Sequence, residues 1–254
     1  MTEEIKQKLI FLAQKYENCD FFGSDPIALL TDFKNQNDVE VASFIASLLS
    51  FGKRSQFIPK ITELFSFAQK SGCSLYLWVK NGFFKTDFYP NKNDDEKFYR
   101  FYSYSDIKEF LAALQNVLIK YETLESFVKS FYESRLPGES ANDAVFRGFH
   151  SEFRGVRLVP NGKTSANKRL NLFLRWMVRS SPVDKGMWKW FSKSDLVIPL
   201  DTHVLQQAKK MNLLSENCSA SAKTAKLLTE QLKLVWPDDP CKGDFALFGL
   251  GVDN

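Results

Sequence analysis

At 254 residues and 29.2 kDa the chain can bury a substantial core, and its 44% apolar and 25% charged content excludes a disordered or low-complexity polymer. Four scattered cysteines (Cys19, Cys73, Cys218 and Cys241) form no CxxC pair, which excludes a closely spaced zinc or iron–sulfur pattern and predicts free thiols. The net charge of +4 is too mild to name a partner, the opening Met1-Thr2-Glu3-Glu4-Ile5-Lys6 has no signal-peptide character, and no apolar run is long enough to span a bilayer. A cytoplasmic protein without a membrane partner is therefore expected.

Helical periodicity dominates the chain. Leu9, Ile10, Leu12 and Ala13 form one stripe over 5–16, and Val41, Phe44, Ile45, Leu48 and Leu49 another over 38–51. A break at Phe51-Gly52-Lys53-Arg54 precedes a helix over 56–67. The stretches 75–79 and 83–89 read as short extended pieces. A polar, turn-rich excursion runs over 80–97. Helices follow over 105–121, 123–134, 140–153 and 166–179, then 202–213, 222–235 and 244–250. Ser105-Asp106, Ser140 and Ser219-Ala220-Ser221 supply start signals. With 24 phenylalanines the core is expected to be aromatic-rich. These elements predict an all-α fold: a two-lobed helical bundle packed as one unit over 1–254, with an N-terminal lobe of about 1–135 and a C-terminal lobe of about 136–254.

Charge is unevenly spread. Between residues 147 and 193 eleven basic side chains face only Glu152 and Asp184, so this stretch holds a surplus of nine positive charges within a chain of net +4. Such asymmetry points to an anionic partner, a phosphate backbone foremost, or simply to a solvated basic face. A turn at Pro160-Asn161-Gly162-Lys163 separates two helices, and backbone N–H groups at such a turn approach phosphate closely. After it, Leu196-Val197-Ile198-Pro199-Leu200 delivers Asp201 to the start of a helix. Asp is a favoured N-cap, and the same placement preorganises a catalytic carboxylate. Lys168, on the first turn of the preceding helix, shares a pocket with Asp201 if the two helices pack side by side.

The run Asn167-Lys168-Arg169-Leu170-Asn171-Leu172-Phe173-Leu174, followed by Val197-Ile198-Pro199-Leu200-Asp201-Thr202-His203-Val204, resembles the active-site half of the helix–hairpin–helix DNA glycosylases. A weaker likeness covers Ile45-Ala46-Ser47-Leu48-Leu49-Ser50, similar to an early buried helix of that superfamily. The whole chain, including its ending Asp244-Phe245-Ala246-Leu247-Phe248-Gly249-Leu250-Gly251, looks most like an uncharacterised bacterial family related to these enzymes. It departs from the superfamily in lacking the Gly-x-Gly hairpin signature and the iron–sulfur loop of some relatives. It also has Phe51-Gly52 where many relatives carry a glutamine, and an insertion over 182–195. The long lysine–aspartate spacing is similar to the archaeal 8-oxoguanine branch.

The resemblance implies a helix–hairpin–helix motif and base-excision activity on a lesion in double-stranded DNA. Lys168 and Asp201 would be the catalytic pair, with or without Schiff-base lyase activity, in a nucleoid-associated monomer needing neither metal nor cofactor. A lysine nucleophile must shed its proton, and Arg169, Arg175 and Lys163 are placed to disfavour a further positive charge. Asn161, Gly162, Lys163, Arg169, His203, Lys53 and Arg54 are the expected DNA contacts. Phe51, Trp188 and Trp190 are candidates to meet an extruded base. Several alternatives stay open at this point. Asp201 also fits a plain cap, Lys163 competes with Lys168, and Trp188 and Trp190 fit a core as well as a base platform. The scaffold also suits a non-catalytic nucleic-acid-binding protein and, less well given its basic hairpin, a helical protein-binding adaptor.

Overall fold

The apolar stripes close into helices wherever the periodicity is strong. The computed structural model describes residues 1–18, 25–93, 95–161 and 165–253. Among these residues there are α1 (Glu3–Tyr16), α2 (Gln36–Leu49), α3 (Arg54–Lys70), α4 (Leu75–Lys80), α5 (Phe84–Asp87) and α6 (Tyr104–Tyr121). The series continues with α7 (Leu124–Glu133), α8 (Ala141–Glu152), α9 (Lys168–Val178), α10 (Thr202–Lys210), α11 (Ala222–Lys233) and α12 (Lys242–Asp253). One two-stranded antiparallel hairpin, β1 (Lys97–Tyr99) with β2 (Tyr102–Ser103), interrupts an otherwise all-α fold.

Side-chain caps start most of these helices. Thr2, Asn35, Ser74, Thr123, Ser140 and Ser221 each accept an N–H of the following turn. At α6 the cap is Ser103, not Ser105, and Asp106 returns the bond to complete a capping box. The two expected extended pieces are helices instead. Ser74 caps α4, and Leu75, Trp78 and Val79 bury one stripe at three- and four-residue spacing. Six residues are too few for periodicity to separate a helix from a strand.

Two compact units divide the chain: an internal unit, Asp25–Asn161, and a terminal unit, Met1–Ser24 with Gly162–Asn254. The expected division near 135 thus lies at 161/162, and α1 belongs with the C-terminal half. The core of the internal unit is aromatic. Phe44 on α2, which is buried from Asp38 to Leu49, stacks on Phe149 at 5.4 Å and touches Phe110 and Phe153. Buried Asp38 and Glu40 on the same helix accept the N–H groups of Tyr76 and Glu125, at the starts of α4 and α7.

In the terminal unit the apolar cluster joins Leu9, Leu12, Ala13 and Tyr16 of α1 to α10, α11 and α12. The centre is α12, whose glycines let its neighbours approach. A Cβ on Gly249 would stand 2.2 Å from the Tyr16 ring, and one on Gly243 would stand 2.4 Å from Leu232. The atoms met at Gly249 are the Cβ and the near side of the ring, which cannot swing aside. Gly249→Ala is therefore expected to destabilise the protein by about 1–3 kcal/mol through overpacking, measured as a lower urea midpoint.

Candidate active site

The turn before α9 is locked from within. Asn167 adopts a left-handed conformation (φ 48°), its amide N–H donates to the Ser165 hydroxyl at 3.2 Å, and that hydroxyl donates to its side-chain carbonyl at 2.9 Å. Asparagine tolerates this region better than most residues. Lys168 follows as the first residue of α9. On the other side, Leu196 to Leu200 run buried, and the Ile198 N–H donates to Thr229 of α11 at 3.1 Å. That tether fixes the approach to Asp201.

These two constraints bring the expected pair together. Lys168 Nζ lies 3.1 Å from Asp201 Oδ2, with the lysine side chain 35% and the aspartate 13% exposed. Asp201 is also the N-cap of α10, accepting the Val204 N–H at 2.9 Å. Its two oxygens divide the work, Oδ1 holding the helix and Oδ2 holding the amine. Cap and ion-pair partner are one residue.

Beneath the pair lies a charged network that the sequence reading did not include. Lys168, Asn171, Arg175 and Arg179 recur at three- and four-residue steps and so share one face of α9. Arg175 donates through Nε to Asp184 at 3.1 Å and through Nη1 to Asp244 on the first turn of α12. Arg179 pairs with Asp184 at 2.6 Å, Asp239 at 2.8 Å and Glu17 at 2.7 Å. Both guanidiniums also lie over the Phe245 ring, at 4.6 and 5.0 Å.

Two of the eleven basic residues are thus buried and neutralised inside the terminal unit, so the basic stretch is not one solvated face. Arg175 arrives with two carboxylates, which offset the repulsion expected of it towards Lys168. Burial pushes the Asp244 carboxyl up from the ordinary 3.8 to about 6; Arg175 opposes the shift and the nearby Asp201 carboxylate adds to it.

The insertion over 182–195 has a structural role. The N–H groups of Lys185 and Gly186 donate to the Trp176 carbonyl, and that of Trp188 to Met177. They satisfy the last turn of α9, whose carbonyls otherwise lack partners, while Asp184 is delivered to both arginines. Trp188 is fully buried, edge-on to Phe173 at 5.4 Å, with Trp190 stacked on it at 6.0 Å. Trp188 therefore has no free face for a base, because burying a large ring stabilises more than exposing it.

Other expected contacts are divided. Arg169 is half-buried and His203 exposed, its ring edge-on to Phe248. Phe51, Lys53, Arg54 and Asn161 belong to the internal unit. Gly162 and Lys163, the centre of the expected hairpin, lie outside the described residues. Among the described residues no helix is long and apolar enough to cross a membrane, and no group of three His, Cys, Asp or Glu side chains is arranged to hold a metal.

Residues 25–253 match the model of a family described as a protein of unknown function (DUF2400). The chain belongs to that family. Comparison with curated proteins and with solved structures returns no match. The match spans α2 to α12 and therefore includes Lys168, Asp201 and the buried arginines.

The raised Asp244 gives a signed expectation. A folded value of about 6 above the ordinary 3.8 means that this group's stabilisation is complete below about pH 4 and lost as pH rises through 6. The stability of wild type minus that of Asp244→Asn should fall by on the order of 3 kcal/mol between pH 4 and pH 7. Urea unfolding at stepped pH measures it, and a difference that stays flat or rises refutes the assignment.

Proposed function

We propose that this protein is a DNA base-excision repair glycosylase, with Lys168 as nucleophile and Asp201 as the carboxylate that serves it. The observation that carries the reading is the 3.1 Å contact between Lys168 Nζ and Asp201 Oδ2, made by side chains fixed at the starts of two helices. An amine one-third exposed beside a carboxylate held as a helix cap is a nucleophile with a built-in proton acceptor. The resemblance of the lysine helix and of the Asp201-Thr202-His203 run to the helix–hairpin–helix glycosylases supports the same substrate class.

The chemistry requires a damaged base to be extruded from the duplex. Asp201 accepts a proton from Lys168, freeing the amine lone pair to bond to C1′ of the sugar. As that bond forms, the C1′–N bond to the base breaks and its electron pair leaves with the base. Asp201 passes the proton on to the departing base, and the restored carboxylate steadies positive charge on the sugar. The nitrogen then gives a proton to Asp201, its lone pair forms the C1′=N bond as the C1′–O4′ bond breaks, and O4′ takes that proton from Asp201. The resulting Schiff base is the species from which strand cleavage proceeds where lyase activity accompanies base release. Asn161, Gly162, Lys163, Arg169, His203, Lys53 and Arg54 are assigned to the DNA backbone in this reading. The working place is then the nucleoid, in the cytoplasm, with the protein acting as a monomer.

Asparagine caps helices about as well as aspartate, so Asp201→Asn separates structure from chemistry. Its melting temperature should stay near wild type while single-turnover base release falls by about 100-fold or more. Borohydride trapping on a panel of lesion duplexes should yield an adduct with wild type and with Lys163→Gln, and none with Lys168→Gln. The reading fails if Lys168→Gln traps like wild type, or if no lesion in the panel is released.

A further inference from the structure

In the internal unit the hairpin of β1 and β2 turns at Arg100 and Phe101, with Arg100 in the left-handed region (φ 52°). This turn holds a large apolar ring in solvent: Phe101 is 49% exposed. Its position is braced from behind. Phe101 stacks on Phe51 at 5.3 Å and 25°, and Phe51 is held by Tyr99 at 4.9 Å and by Tyr102 at 5.6 Å. The Tyr99 hydroxyl donates to the Phe51 carbonyl, and the Arg100 guanidinium lies 5.8 and 5.9 Å from the Phe51 and Phe101 rings. Gly52 permits this closeness, because a Cβ there would meet the Arg100 side chain at 2.3 Å.

Beside this stack opens a cleft of about 280 Å³, lined by Phe101 and Tyr102 of the hairpin and by Val156, Arg157, Val159 and Asn161. Its size is just under that of pockets for small organic ligands, roughly 300 Å³ and upward, and its lining mixes two aromatic rings and two valines with the polar side chains of Arg157 and Asn161. Arg157 is preorganised at the rim. Its Nη1 donates to both oxygens of Asp106 at 3.0 and 2.8 Å, and Asp106 is itself buried in the capping box of α6. Nε and Nη2 of Arg157 have no partner among the described residues, and the side chain is 60% exposed. Arg100, Arg154 and Lys53 are exposed on the same unit.

We propose that this cleft holds one unpaired base of a DNA strand, stacked on Phe101, with a neighbouring phosphate on the free edge of Arg157. A flat ring presented at about half exposure beside an anchored guanidinium matches a planar base joined to an anionic linker in both shape and charge. The inference rests on the nucleic-acid half of the function proposed above and uses none of its chemistry.

The test compares binding of the full chain to a labelled oligothymidylate and to an abasic oligonucleotide of equal length, which has the same phosphates and no bases. Wild type should prefer the base-bearing strand by about 10-fold. Phe101→Ala should abolish that preference while leaving affinity for the abasic strand within about 2-fold, and Phe101→Trp should keep it. Arg157→Gln should weaken binding to both strands. Equal binding of the two strands by wild type, or an undiminished preference in Phe101→Ala, overturns the proposal. So does an unchanged affinity in Arg157→Gln, which removes the phosphate contact. The two readings fail separately: loss of the preference in Phe101→Ala without base release from any lesion defeats only the chemistry, and base release with the preference unchanged in Phe101→Ala defeats only the cleft.

Discussion

The terminal unit is organised around two buried arginines. Arg175 and Arg179 sit one turn apart on α9 and bind Asp184, Asp239, Asp244 and Glu17, over the face of Phe245. Charges removed from water are costly unless paired and hydrogen-bonded on every side. Each carboxylate must therefore stay where it is, and so must the segment that carries it. The chain just after α1, the insertion that follows α9, the turn before α12 and the first turn of α12 are all held to a single helix face by this requirement.

That constraint extends to the candidate active site. Lys168 begins the helix face on which the arginines continue, and the Asp201 carboxylate is close enough to Asp244 to help raise its proton affinity. The amine and its partner thus stand at one end of a rigid ionic array in which carboxylates outnumber the cations. Such an array positions a functional group more accurately than a mobile loop does, because none of its members can turn without stranding another charge. The glycines of α12 contribute through packing. Gly249 admits Tyr16 and Gly251 admits His203, so helices carrying unrelated stretches of chain approach α12 closely.

The internal unit uses different means. Its core is a set of contacting phenylalanine rings, and two of its buried acids, Asp38 and Glu40, accept N–H groups at the starts of neighbouring helices, with Gln36 also donating to Glu40. Its exposed stack of Phe101 on Phe51 is built on a turn, and the buried Tyr99 and Tyr102 brace it from behind. Both units thus fix a chemically useful side chain by locking the residues next to it.

Helix positions were legible in the sequence wherever an apolar stripe ran for three turns or more, as in α2, α6 and α9. They were misread at 75–79 and 83–89, where the segments are too short for a period to register. Asp201 was legible as a cap because capping is a local event: the carboxylate needs only the amides of the next turn. Lys168 could be named from its place on the following helix and from likeness to a known active-site half, but its distance to Asp201 could not. The recurrence of Lys168, Asn171, Arg175 and Arg179 at steps of three and four was in the sequence too. Arg175 and Arg179, counted there with a basic stretch, are buried instead, because their neutralising carboxylates come from positions as far apart as Glu17 and Asp244. Local periodicity and capping are short-range physics and can be read along the chain. Which charges are buried, that Trp188 lies in the core and which segments share a unit depend on contacts between distant residues, and only the tertiary structure decides them.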